Sequence, residues 1–213
     1  FKERDAFAGP READDLLEDV IPPPGTRPAR RRRVAAKAGA RAASRAKQAA
    51  APRERWAHRA ARLDGARATS KHPGFRAPQL AKLQQEVPAG DDWLHEAKWD
   101  GYRLIAEIRR GRVRLWSRNE REWTSQAPEI VSALEALDLD EAVLDGELVA
   151  AAGRQEDFGL LQATLAGEKN ATLSYVLFDI LQVDGVDLSG SPQYQRKALL
   201  AEILKSPPDR LVY

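Results

Sequence analysis

The sequence predicts an α+β domain built on antiparallel strands, and three observations carry that expectation. Residues 102–108 and 113–118 alternate apolar and polar side chains, with Arg110-Gly111 as the hairpin turn between them. Residues 127–137 place Ile130, Val131, Leu134 and Leu137 at helical spacing, with Pro128 in the first turn. Two further strands, 142–149 and 173–181, and two further helices, 158–165 and 194–204, follow. Strands in hairpins with helices interspersed give the α+β class.

The domain should begin near Phe75, where the texture of the chain changes. Residues 79–83 form a short apolar segment, 88–90 a turn and 93–97 a first strand. The strand over 142–149 carries an unusual polar triplet, Asp145-Gly146-Glu147. No internal repeat and no glycine-rich phosphate loop is visible.

The 213 residues are 43% hydrophobic and 31% charged, enough to bury a proper core. The absence of cysteine excludes a disulfide scaffold, a thiolate metal site and a cysteine nucleophile. No apolar run approaches the ~20 residues that span a bilayer. The chain starts with Phe1 and shows no signal-peptide pattern, so the expectation is a piece of a longer, cytoplasmic protein.

Charge divides the chain into three parts. Residues 1–21 carry three basic and seven acidic side chains, a net −4, and read as the tail of an upstream module. Residues 22–74 carry fifteen basic and two acidic side chains, a net +13. Residues 75–213 carry sixteen and twenty-three, a net −7. The middle part opens with Pro22-Pro23-Pro24-Gly25, includes Arg30-Arg31-Arg32-Arg33, and has few large apolar residues. It cannot bury enough surface to offset chain entropy, so it reads as a largely disordered linker. Two roles compete for it: a solvated tether, or a sequence-independent contact to nucleic-acid phosphates. Trp56 and His58 hint at a small local anchor within it.

Three polar clusters interrupt the apolar pattern of the domain. The first is Glu96-Ala97-Lys98-Trp99-Asp100-Gly101-Tyr102-Arg103, whose plain reading is an ordinary solvent-facing stretch between two strands. The second is Asp145-Gly146-Glu147; a hairpin turn at Asp-Gly is its plain reading, but Leu148-Val149 continue the strand. Two buried carboxylates there would need a cation or hydrogen-bond donors. The third is Phe178-Asp179 within an otherwise apolar strand, where a lone Phe would ordinarily be core.

Taken in this order, the clusters resemble the nucleotidyltransferase motifs of ATP-dependent DNA ligases. That core is shared with RNA ligases and mRNA-capping guanylyltransferases. The flanks Pro78-Gln79-Leu80-Ala81, Trp93-Leu94-His95-Glu96 and Val113 to Asn119 resemble the ligase module of bacterial DNA ligase D. So do Trp123-Thr124, Asp157-Phe158, Leu161-Gln162 and the run Gln182 to Leu188. Residues 1–20 resemble the end of that family's 3′-phosphoesterase module.

The resemblance implies an antiparallel-sheet adenylation domain and a role for each matching residue. Lys98 would be the nucleophile that attacks the α-phosphate of ATP and holds AMP as a phosphoramidate. A free lysine has pKa ~10.4, so Mg²⁺ or a cationic pocket must make its amine available. Glu96 would help recognise adenine, and Phe178 would stack on its face. Arg103 and Glu147 would contact the ribose, with Glu147 or Asp145 near a Mg²⁺ or Mn²⁺ ion. Arg118 would grip the 5′-phosphate of a DNA nick, a bidentate task suited to guanidinium. Asp100 and Gly101 would shape the turn that aims Lys98. DNA and an end-binding Ku-type protein are the implied partners, and end joining of double-strand breaks the implied process.

Departures from the family pattern include Ala97 and Trp99 around the lysine, and Glu120 where glycine is usual. The chain also stops at Tyr213, ahead of the family's later metal carboxylate, its paired lysines and its OB-fold. The expectation is therefore the front part of an adenylation domain, weak or inactive alone. Two other readings stand beside it: an RNA ligase or capping-type nucleotidyltransferase, and a basic DNA-tethering module.

Overall fold

The computed structural model describes residues 56–71, 73–80, 82, 86–90, 92–152 and 155–213. The acidic segment 1–21 and the polyproline and polyarginine stretches therefore lie outside the described residues. Among the described residues, a short helical stretch over 56–60 precedes eight strands and three longer helices. The first strands are β1 (Arg67–Ala68), β2 (Tyr102–Arg109) and β3 (Arg112–Ser117). Next come α1 (Pro128–Glu135), β4 (Glu141–Ala152), β5 (Gln155–Glu156) and α2 (Phe158–Leu165). The chain continues with β6 (Leu173–Val183), β7 (Val186–Asp187), α3 (Gln193–Ile203) and β8 (Leu211–Val212).

The strands form one sheet in the order β1-β7-β6-β4-β2-β3, with β5 added to β4 and β8 to β6. Every pairing is antiparallel except that of β8 with β6. The β2–β3 connection turns on Arg110 at φ 53° and Gly111 at φ 68°, the two positive φ values that match strand twist in a tight hairpin. Asp184-Gly185 repeats this device between β6 and β7, at φ 41° and 81°. That second hairpin was not read from the sequence, because its outgoing strand is only two residues long.

One face of the sheet carries the main core. Leu104, Ala106 and Ile108 of β2 meet Leu144 and Leu148 of β4, Leu177 and Ile180 of β6, and Ile130, Leu134, Leu161, Leu199 and Leu200 of the helices. All of these are essentially water-free, and burying one Leu or Ile contributes about 1.5–3 kcal/mol. Asp157 caps α2 by accepting the Leu160 N–H at 2.8 Å, a contact worth about 1 kcal/mol. The helices expected over 158–165 and 194–204 appear at those places, within one residue.

Two sequence expectations need correction. No strand forms over 93–97; those residues are exposed and irregular, with Trp93 55% and Leu94 50% exposed. The physical reason is that β2 is already flanked by β3 and β4, leaving no free edge beside it. The ordered fold also starts before the expected boundary at Phe75. Trp56 and Ala60 are buried in the main core, and β1 extends the sheet by pairing with β7. Trp56 is thus an anchor, whereas His58 is exposed.

Candidate active site

Strand alternation turns Arg103, Ile105 and Glu107 to the face opposite the main core. Cross-strand register then lays that face out in rows. Arg103 stands opposite Glu147, which stands opposite Val176. The next row runs Trp116, Ile105, Asp145, Asp179. Because β3 ends with Ser117 opposite Leu104, Arg118 follows at the Arg103 end of the sheet, in the turn after β3.

Asp145-Gly146-Glu147 lies inside continuous strand and makes no turn. Gly146 is there because nothing larger fits: a Cβ would stand 2.6 Å from the Val176 carbonyl oxygen and 2.8 Å from the Tyr175 ring. Tyr175 is fully buried and donates its hydroxyl to the Leu104 carbonyl at 2.6 Å. Burial pushes its phenol well above the ordinary range.

Arg103 is the hub of this face. Its Nε and Nη2 donate to the two Asp145 oxygens at 3.0 and 2.8 Å, and its Nη1 donates to the Gln79 carbonyl at 3.0 Å. Its guanidinium also lies 5.3 Å from the centre of the Phe178 ring. Burial works against the Arg103 charge, but the Asp145 hydrogen bonds and the Asp145 and Glu147 charges outweigh it and raise its pKa. For Asp145, only 3% exposed, burial wins over Arg103 and, with help from Asp179, raises the carboxyl above its usual range.

Phe178 owes its place to a β-bulge. Register shifts between Asp145 and Gly146, so that Leu177 and Asp179 oppose neighbouring residues of β4 and Phe178 is the extra residue. It is half-buried and stands outside the main core. The next residue, Asp179, takes a bidentate pair from Arg196 of α3, both oxygens at 2.8 Å.

Lys98 is exposed, in the irregular segment leading into β2, and is bracketed by two anchors. On one side Glu96 is bonded to Lys197 and Gln193 of α3, at 2.5 and 3.2 Å. On the other, Gly101 lies so close to β4 that a Cβ would stand 2.1 Å from the Leu148 carbonyl oxygen. Gly101 does not have a positive φ; close approach, not turn geometry, explains the glycine.

The structure thus gathers Glu96, Arg103, Glu147 and Phe178 around the end of the sheet where Lys98 enters it. Sequence reasoning missed Lys197, Gln193 and the Gln79 carbonyl. Gln193, Arg196 and Lys197 fall at helical i, i+3, i+4 spacing, which was the available signal. Of the two carboxylates expected near a metal, Asp145 has both oxygens bonded to Arg103. Among the described residues no group of three or more His, Cys, Asp or Glu side chains could hold a metal ion.

The antiparallel sheet with few helices matches the nucleotidyltransferase fold of ligase domains. The chain belongs to the ATP-dependent DNA ligase domain family, whose sequence model matches residues 77–213. It is 40% identical over 135 residues to the multifunctional non-homologous end joining protein LigD of Pseudomonas aeruginosa, covering 62% of this chain and 16% of that protein. It is 34% identical over 134 residues to DNA ligase C of Mycobacterium tuberculosis, covering 59% of this chain and 37% of the relative. The structure of mycobacterial DNA ligase D complexed with ATP and MES superposes with a TM-score of 0.50 at 31% identity, covering 55% of this chain and 38% of that one. The chain thus spans well under half the length of these relatives.

Proposed function

We propose that this chain carries a lysine-adenylating site for ATP-dependent DNA joining, within a protein of the non-homologous end-joining type. One observation carries the reading: the three sequence clusters, far apart along the chain, meet at one end of one sheet face. Lys98 precedes β2, the Arg103–Asp145 pair and Glu147 span β2 and β4, and Phe178 projects from the β6 bulge. The names of the relatives support the process, since they are ligases and one is an end-joining protein.

In this reading the Lys98 amine attacks the α-phosphate of ATP, forming a P–N bond while pyrophosphate leaves. AMP then passes to a DNA 5′-phosphate, and attack by a 3′-hydroxyl seals the strand and releases AMP. The chain's own contribution is position and charge, on which phosphoryl transfer depends most. Phe178 offers an aromatic face to the base, and Arg103 is preorganised by Asp145 and the Gln79 carbonyl. Arg118, at the same end of the sheet, is the cation for the DNA 5′-phosphate. The Ku-type partner and a cytoplasmic location belong to this proposal too; no helix among the described residues is long and apolar enough to cross a membrane.

Phe178→Ala provides the test. Base stacking contributes ~1–3 kcal/mol, so ATP affinity should fall by roughly ten- to a hundredfold while the denaturation midpoint moves little. A large loss of stability with ATP affinity intact would make Phe178 a core residue and overturn the reading. Lys98→Arg should leave ATP binding in place and remove any AMP adduct, because guanidinium stays protonated. An adduct mapped to another lysine would overturn the assignment of the nucleophile.

A further inference from the structure

Lys197 has no role in the reading above, yet its ammonium reaches three parts of the chain at once. It donates to Glu96 Oε1 at 2.5 Å and to the Phe178 carbonyl at 3.3 Å, and it lies 5.5 Å from the centre of the Tyr213 ring. Gln193, one helical turn earlier, donates to the other Glu96 oxygen at 3.2 Å. Both oxygens of Glu96 are therefore held from one helix.

We propose that Lys197 is a specificity-determining positioning residue, which fixes Glu96 relative to Phe178 and so sets the slot that accepts adenine and rejects guanine. The proposal rests on the reading of Glu96 and Phe178 as the base-binding pair. A carboxylate at the edge of a purine accepts a hydrogen bond from the 6-amino group of adenine and repels the 6-oxo group of guanine. It discriminates only if it stays in place, and an untethered Glu side chain has rotamer freedom enough to swing aside. Glu96 is 37% exposed and belongs to an irregular segment, so neither burial nor a strand ladder holds it. Lys197 does, and the same ammonium bonds the backbone of the residue that stacks.

A purely structural role, clipping α3 to the sheet, is already filled. Arg196 does that through its bidentate pair with Asp179, where both side chains are 12–13% exposed. Lys197 points instead to the loop that carries Lys98.

The test is calorimetric titration of the full chain with ATP and with GTP, for the native protein, Lys197→Met, Lys197→Gln, Lys197→Arg, Glu96→Gln and the Glu96→Gln/Lys197→Met double variant. Losing a charge-assisted hydrogen bond should weaken ATP binding about tenfold in Lys197→Met, with GTP nearly unchanged, so that the preference for ATP falls by that factor. Lys197→Arg should restore most of it. On the Glu96→Gln background the same Met substitution should change the preference less than about twofold, because Lys197 acts through Glu96. Lys197→Gln, a milder change on the same helix, should give an intermediate preference, so the outcome does not hinge on the folding of one variant. An unchanged ATP-to-GTP ratio in folded Lys197→Met and Lys197→Gln, with only the melting temperature lowered, overturns the proposal. A native chain that binds ATP and GTP alike overturns the base-recognition reading itself, and this inference with it.

Discussion

Gly101→Ala is the sharpest test of how the sheet positions Lys98. The added Cβ would stand 2.1 Å from the Leu148 carbonyl oxygen, 2.9 Å from Val149 Cγ1 and 3.0 Å from the Leu148 carbonyl carbon. Ordinary contact begins at 3.4 Å, so the strands are about 1.3 Å too close for alanine. Rotating the Val149 side chain offers no escape, because the nearest atom is the Leu148 backbone carbonyl oxygen. The start of β2 must move off β4, where Tyr102 pairs with Leu148. Overpacking of this kind costs about 1–3 kcal/mol, and a lost ladder hydrogen bond adds about 1 kcal/mol. Restricting the unfolded chain returns about 0.5–1 kcal/mol, leaving a net loss of about 1–3.5 kcal/mol. With a urea slope of about 1–3 kcal/mol per molar, the midpoint should drop by roughly 1 M. The assay is urea unfolding followed by circular dichroism, with Gly74→Ala as the control. Among the described residues no atom lies within 4 Å of a Cβ at Gly74, so that midpoint should stay put. Equal midpoints for Gly101→Ala and the native chain would refute the close-approach argument.

Two more predictions use the same unfolding assay. Glu120 sits at φ 60°, in the left-handed region that costs a side-chain-bearing residue about 1–2 kcal/mol, so Glu120→Gly should raise stability by about 0.5–1 kcal/mol; a loss would contradict the strain argument. For Asp187, burial alone would raise the carboxyl, but hydrogen bonds from Arg76 and from the Ser189 N–H and hydroxyl outweigh it and hold the pKa at about 2. A depressed carboxylate stabilises the fold above its unfolded pKa near 3.8 and loses that contribution as pH falls through about 2. Because Asp187 is 31% exposed, the contribution is discounted to about 1 kcal/mol. The stability gap between native chain and Asp187→Asn should therefore be present at pH 6 and vanish near pH 2; a gap that does not change with pH would show that the Arg76 and Ser189 contacts do not act through the charge.

Local pattern determined a large part of this protein. The 158–165 helix with its Asp157 cap, the Arg110-Gly111 hairpin and the apolar faces of β2, β4 and β6 follow from periodicity and turn chemistry within a few residues. The order Lys98, Asp145-Gly146-Glu147, Phe178 was enough to point to an adenylating ligase. Tertiary structure alone decided how those residues are used. Asp145 and Glu147 read alike in sequence, yet strand register hands both Asp145 oxygens to Arg103 and sets Glu147 opposite the Arg103 backbone. Phe178 leaves the core only because β6 bulges against β4, and a bulge is a mismatch between two strands that neither strand contains. Lys197 bonds Glu96 across 101 residues of chain, and Trp56 joins a core whose strand residues begin only at Tyr102. Periodicity reports what each residue prefers beside its neighbours; which charge meets which depends on how distant segments dock, and that only the folded chain decides.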